Sequence, residues 1–79
     1  MLTDEEIKTM LEQSFKPFRC IVEISGEGQI RFRILSWNVR IYREPGFALS
    51  DLRDYDQFAA LVTRVRKVLE ARGHHPDPL

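Results

Sequence analysis

Apolar residues recur at two different spacings along this chain, and the spacing changes twice. Residues 1–15 repeat at intervals of three and four, and residues 18–43 alternate between apolar and polar positions. Residues 50–72 return to the longer intervals. A period near 3.6 is typical of a helix with one buried face, and a period of two is typical of a strand with one buried face. The pattern therefore predicts the element order α-β-β-β-α.

The first helix has recognisable start and stop signals. Thr3 followed by Glu6 is a capping box, in which each side chain accepts a hydrogen bond from the other residue's backbone N–H. Pro17 is expected to end the helix, because the residue before a proline is pushed towards extended geometry. The buried stripe is predicted to consist of Ile7, Met10, Leu11 and Phe15.

Three strands are expected to follow. Residues 25–28, with two glycines, indicate a hairpin turn, and residues 36–38 give a weaker turn signal. The third strand is predicted over residues 39–43 and stops at the Glu-Pro-Gly sequence that follows. Strands this close in sequence pair as an antiparallel meander, because parallel pairing needs long crossovers. The predicted inward side chains are Phe18, Cys20, Val22, Ile24, Ile30, Phe32, Ile34, Val39 and Ile41.

Residues 50–72 are predicted to form one helix, with Ser50 as its N-cap and Gly73 just beyond its end. Both helical stripes need cover, and the alternating strands offer one apolar face. We therefore expect an α+β fold, a two-layer sandwich whose three-stranded antiparallel meander carries both helices on one face. Residues 1–73 are predicted as a single domain and residues 74–79 as a flexible C-terminal tail, since two prolines forbid further helix.

The other face of the sheet is predicted to carry basic and apolar side chains. Tyr, Trp and Arg are common anchors of protein interfaces, and an exposed apolar patch favours a binding role. The sequence thus predicts a small non-enzymatic interaction module, or a homodimer, that uses this open sheet face with an unidentified protein partner. The predicted interaction surface consists of Arg19, Ile21, Arg31, Arg33, Leu35, Trp37, Arg40 and Tyr42.

Nucleic-acid binding through the same face is the alternative, because arginines among aromatic rings can pair with phosphates while bases stack. Residues 16–43 carry six basic side chains against Glu23 and Glu27, a net charge of +4. However, 12 basic and 12 acidic side chains cancel over the whole chain, which disfavours a dedicated nucleic-acid binder. Double-stranded RNA-binding domains share the α-β-β-β-α order, but here Asp51, Asp54 and Asp56 at the start of the last helix would repel phosphate.

No pattern in the chain favours catalysis, a cofactor or a metal. No serine has a base at a recognisable spacing, and Gly26-x-Gly28 lacks the following helix of a phosphate-binding loop. His74, His75 and Asp77 are three donors on a segment broken by prolines, so they are not preorganised for a metal. Cys20 falls on the inward strand face, where cysteine behaves as a small apolar residue. We expect a protein that is not an enzyme.

The expected compartment is the cytoplasm. The N-terminal residues are acidic where a signal peptide is basic, and no apolar stretch approaches the roughly 20 residues of a membrane span. A single cysteine cannot form an internal disulfide. These features predict no association with a membrane.

Phe15, Pro17 and Cys20 form an F-x-P-x-x-C motif after an acidic amphipathic helix, and an L-V-x-x-V-R-x-V-L helix follows near the end. In this the chain resembles a family of short bacterial proteins that is itself a domain of unknown function. The resemblance covers residues 5–72 and implies a small single domain. It implies no catalytic residue, cofactor or substrate.

Overall fold

The computed structural model describes residues 1–78, except for the side chain of Phe47. Its elements in chain order are α1 (Asp4–Ser14), β1 (Arg19–Ile24), β2 (Gln29–Ser36), β3 (Val39–Ala48), α2 (Leu49–Leu52) and α3 (Tyr55–Ala71). The predicted α+β class and the α-β-β-β-α order are confirmed. The short helix α2 is an addition that the periodicity did not predict.

The N-terminus of α1 has the predicted capping box. The Glu6 N–H donates to Thr3 Oγ1 at 3.2 Å, and the Thr3 N–H donates to Glu6 Oε1 at 3.1 Å. The hydrogen bonds from Thr3 favour the carboxylate and lower the pKa of Glu6. The helix ends at Ser14, shortly before Pro17, as the sequence predicts.

The three strands form an antiparallel meander with β2 in the centre. The β1–β2 hairpin closes where the Ser25 N–H donates to the Gln29 carbonyl at 2.9 Å, with Gly28 at φ +78°. The β2–β3 hairpin turns through Trp37 and Asn38, whose φ angles are 52° and 68°. Positive φ at both central residues is the requirement of a type I′ turn, whose twist matches that of the strands.

One apolar core lies between the sheet and the helices. The Phe15 ring of α1 stacks on the Phe32 ring of β2 with centroids 6.1 Å apart. Buried residues of β1, β2, α1 and α3 belong to one cluster, so both long helices cover the same sheet face, as predicted. The most buried members are Ile7, Leu11, Phe15, Ile30, Ile34, Val65 and Leu69, each with no exposed surface.

The third strand is longer than predicted. It continues through Pro45 and Gly46 to Ala48 instead of stopping at Arg43. Proline is tolerated in this position because β3 is an edge strand. The pairing with β2 shifts twice, between Ile30 and Phe32 and between Ile34 and Leu35, so β3 holds two bulges.

The predicted helix from Ser50 is divided in two, and Ser50 is not its N-cap. Ser50 lies inside α2, and α3 begins after Asp54, whose carboxylate accepts hydrogen bonds from the Asp56 and Gln57 N–H groups at 2.8 and 3.4 Å. Arg53, between the two helices, donates to the Asp4 carboxylate at 2.6 Å. A strong N-cap therefore starts a new helix where the apolar spacing alone suggested a continuous one.

The C-terminal residues lie against the rest of the domain. Gly73, at φ +85°, ends α3, and the His74 N–H donates back to the Leu69 carbonyl at 2.9 Å. The Asp77 N–H donates to the Lys16 carbonyl at 2.7 Å, and Arg66 donates to the Asp77 carbonyl at 2.6 Å. The flexibility expected for this segment stays a prediction. The hydrogen bonds of Asp77 with Lys16 and Arg66 are the contacts that would restrict it.

Candidate interaction surface

The side of the sheet turned away from the helices, called the outer face, is built from three cross-strand rows. Residues paired across antiparallel strands project from the same face. The pairing of β1 with β2 and of β2 with β3 therefore defines these rows. They are Arg19–Leu35–Arg40, Ile21–Arg33–Arg43 and Glu23–Arg31. Six of the eight predicted interaction residues lie together here, namely Arg19, Ile21, Arg31, Arg33, Leu35 and Arg40.

Tyr42, another predicted member of this surface, lies on the opposite, helix-covered face. It pairs with Ile34, its ring stacks on Phe32 at 6.2 Å, and the guanidinium of Arg72 lies 6.0 Å from its ring centre. The reason is the bulge in β3. Leu35 pairs with Arg40 and Ile34 with Tyr42, so Ile41 is an extra residue that reverses the alternation. The assignment of Tyr42 to the open face was wrong.

The same bulge brings an unpredicted residue, Arg43, to the outer face, directly opposite Arg33. A strict alternation starting from Val39 places Arg43 inward and misses it. The sequence does contain a signal, because Ile41 and Tyr42 are adjacent apolar residues between two arginines. Two neighbouring apolar positions break a period of two and indicate a bulge.

Basic charge dominates the outer face. Its five arginines share one carboxylate, Glu23, which accepts from Arg31 at 2.8 Å and lies 3.9 Å from Arg33. The hydrogen bond and charge of Arg31, with the charge of Arg33, lower the pKa of Glu23. Within residues 1–78, Arg19, Arg40 and Arg43 form no ion pair. Arg33 and Arg43 are like charges placed opposite each other, an arrangement that costs stability.

The outer face also offers apolar surface and a shallow depression. Ile21 and Leu35 are partly exposed between the arginines. A concavity of about 360 Å³ lies over the middle row, lined among others by Ile21, Arg33 and Arg43. Trp37, in the turn that follows Leu35, has 96% of its surface exposed. Four arginines and the carboxylates Glu23 and Glu44 therefore line a mostly polar depression, and the exposed Trp37 ring lies outside its lining, in the β2–β3 turn.

The candidate thiol and histidine side chains are not assembled into a reactive or metal-binding site within the described residues. Cys20 is 7% exposed, and burial raises the pKa of its thiol to about 12, which makes it a poor nucleophile. The T-shaped contact of His74 with the Phe18 ring at 5.9 Å places it against an apolar neighbour. In the described part of the chain, no group of three or more His, Cys, Asp and Glu side chains is placed to hold a metal ion.

Comparisons of the chain with protein families, curated proteins and solved structures find no match. The resemblance carried by Phe15, Pro17 and Cys20 thus stays a prediction. Across residues 1–78, none of the helices has both the length and the apolar character needed to span a bilayer.

Proposed function

We propose that this protein is a non-enzymatic interaction module whose outer face binds an acidic segment of a partner protein. The observation that carries this proposal is the row in which Arg43 lies opposite Arg33 and forms no ion pair with a carboxylate of the described residues. Uncompensated like charges weaken a fold, and they are compensated when a partner supplies carboxylates. Charge complementarity therefore specifies an acidic occupant.

Trp37 supports the proposal through its conformation as well as its exposure. A bulky residue rarely adopts φ 52°, and a type I′ turn prefers asparagine or glycine there. The ring is 96% exposed, so it contributes little to the core that would offset this cost. Tryptophan and arginine are the residues most enriched at the centres of protein interfaces. Trp37 is thus suited to anchor an apolar side chain of the acidic segment.

A homodimer formed face to face is less consistent with this geometry. Two outer faces in contact would bring five arginines of one copy against five of the other, with only Glu23 of each to balance them. Repulsion of this kind opposes association unless counter-ions are trapped in the interface.

Binding of single-stranded nucleic acid is the second candidate, favoured by the same arginines. It is weakened by the position of Tyr42, because Trp37 is then the one exposed aromatic residue left among the eight predicted interaction residues. Stacking platforms for single strands use successive aromatic rings along a basic groove. A single ring fits a side-chain anchor better.

Fluorescence anisotropy with a labelled peptide of alternating glutamate and leucine tests the proposal. We expect binding that Arg43→Glu weakens about tenfold or more, and that Lys67→Glu, the same charge change on the exposed side of α3, leaves nearly unchanged. Trp37→Asn should weaken binding while leaving the fold at least as stable. Tighter binding of a thymidine oligonucleotide than of the peptide would replace the proposal with the second candidate. Equal loss in Arg43→Glu and Lys67→Glu would refute a specific outer-face site.

A further inference from the structure

The two edges of the sheet differ in how well they are protected against pairing. At the β3 edge, the strand is interrupted by Pro45, Gly46 and two bulges. Such interruptions prevent another strand from pairing with an edge. The β1 edge has none of them. All six residues of β1 pair with β2 in unbroken register, and the strand contains neither proline nor glycine. A regular unprotected edge is a template for another strand.

The hydrogen-bonding direction of β1 follows from the hairpin that closes it. Ser25 and Gln29 form a hydrogen-bonded pair, since the Ser25 N–H donates to the Gln29 carbonyl. Bonded and non-bonded pairs alternate along an antiparallel ladder. The register from Ser25 back towards Arg19 therefore makes Glu23, Ile21 and Arg19 the residues whose backbone groups form hydrogen bonds with β2. The N–H and C=O groups of Cys20, Val22 and Ile24 therefore point to the open edge.

Open space lies beside this edge. A groove of about 550 Å³ runs along residues 18–22 and is bordered by Lys8 and Glu12 on α1. No strand within residues 1–78 occupies it, because β1 has β2 as its only sheet neighbour there.

The side chains of β1 are complementary to their own reverse order. If a second β1 runs antiparallel with Ile21 opposite Ile21, then Arg19 lies opposite Glu23 of the second copy, and Glu23 opposite its Arg19. Cys20 then lies opposite Val22, and both have backbone groups that point to the open edge, so this pair can form two hydrogen bonds. Shifting the register by two residues in either direction removes both opposite-charge pairs.

We propose that β1 pairs with β1 of a second copy of this chain, antiparallel and centred on Ile21, which gives a two-fold dimer with a continuous six-stranded sheet. The dimer joins the two outer faces side by side instead of covering them. It does not depend on the proposed function, and although it engages Arg19 and Glu23, it leaves Arg33, Arg40 and Arg43 free for a partner. For a chain of 79 residues with a thin core, pairing of this kind also adds stability.

Sedimentation equilibrium with charge-reversed variants tests this arrangement. Arg19→Glu places two glutamates opposite each other, and Glu23→Arg places two arginines opposite each other. Each variant alone should dimerise at least about tenfold more weakly than the wild type, because two attractive pairs become repulsive. Mixed together, the two variants should form a heterodimer with both pairs restored. Arg40→Glu, the same change on the other edge strand, should dimerise like the wild type.

Amide hydrogen exchange gives a readout that needs no variant. The amides of Cys20 and Val22 should become protected as the protein concentration rises through the dimer range, while those of β3 should not change. A wild-type protein that is monomeric at millimolar concentration overturns the proposal. A dimer that Trp37→Asn disrupts, but that neither Arg19→Glu nor Glu23→Arg weakens, also overturns it and indicates face-to-face association. Loss of peptide binding in Arg43→Glu with an intact dimer would leave both proposals standing.

Discussion

At the scale of the residue, Cys20 shows how burial decides chemistry. Its thiol lies in the core at 7% exposure, opposite Ile34, and burial is the main reason that its pKa rises to about 12. The nearby carboxylate of Glu12 raises the pKa further. Because the thiolate is the reactive species, the native protein should react slowly with thiol reagents.

The prediction for Cys20 is measured with a disulfide reagent at about pH 8. Native protein should react on the order of a thousandfold more slowly than denatured protein, since the fraction of thiolate falls by roughly that factor. Similar rates in both states would show that Cys20 is exposed and that the β1 register is wrong.

Tyr42 should give the fold a dependence on alkaline pH. Burial, followed by the charge of Glu44 and its hydrogen bond with the phenol, raises the pKa of Tyr42. A group with a raised folded pKa contributes stability that is complete below its unfolded pKa and is lost as the pH rises through the folded value. Stability should therefore decline above about pH 10, the ordinary tyrosine pKa.

Absorbance titration of a Tyr55→Phe variant isolates the ionisation of Tyr42. We expect its midpoint above that of the same protein in denaturant. Urea unfolding of Tyr42→Phe should lose much of the alkaline decline. A midpoint equal to that of the denatured protein would contradict the burial of this ring.

At the scale of the element, the bulges of β3 determine which side chains reach each face. The bulge near Gly46 depends on a φ of +134°, which side chains with a Cβ rarely adopt. The bulge at Ile41 has no glycine and is defined by the pairing of Tyr42 with Ile34. Together they allow a ten-residue edge strand to follow β2 while Tyr42 and Glu44 turn towards α3.

Gly46→Ala should destabilise the protein by about 1–3 kcal/mol, because alanine is strained at this φ although its methyl group would meet only the Ile30 carbonyl oxygen, at 3.7 Å. Gly26→Ala is the matched control. Gly26 lies in the first hairpin without a positive φ, and no atom lies within 4 Å of the place that an alanine Cβ would take, so this change should alter stability little. Urea denaturation measures both, and equal effects would contradict the bulge at Gly46.

The elements show where sequence patterns suffice and where they fail. The capping box of Thr3 and Glu6, the stop at Gly73 and both hairpins involve contacts within a few residues, so the local sequence specifies them. The side of the sheet on which Tyr42 and Arg43 lie depends on the β2 residue with which each of them pairs. That register is decided by packing against the helices, and the extra residue Ile41 reverses the facing of the side chains that follow it, up to the second bulge. Alternation therefore predicts the rows before Ile41 and fails from the bulge onwards.

At the scale of the whole molecule, Arg66 joins three distant segments. From α3 it donates hydrogen bonds to the Ser14 carbonyl at the end of α1 and to the Pro76 and Asp77 carbonyls in the C-terminal segment. The segment in turn holds the α1–β1 connection through the hydrogen bond from Asp77 to Lys16. Arg66 therefore ties the helical layer to the start of the sheet.

Arg66→Ala should destabilise the protein by about 1–3 kcal/mol, since hydrogen bonds from a charged donor are lost from partly buried carbonyls. Lys67→Ala, the next residue and exposed, is the control and should have little effect. Urea denaturation gives the stabilities. Hydrogen exchange at Asp77 reports directly on the C-terminal segment, and rapid exchange in the wild type would support its predicted flexibility instead.

The register of β3, which turns Tyr42 towards the helices and Arg43 towards the open face, underlies the pairing of Arg43 with Arg33 and the proposed function. A nuclear Overhauser spectrum of the protein in solution tests it most directly. We expect cross-peaks from the Tyr42 ring to the Phe32 ring and to the Arg72 side chain. We also expect cross-peaks between the side chains of Arg43 and Arg33. Cross-peaks from the Tyr42 ring to Ile21 or Leu35 would contradict this arrangement, because Tyr42 would then belong to the open face and Arg43 would not lie opposite Arg33.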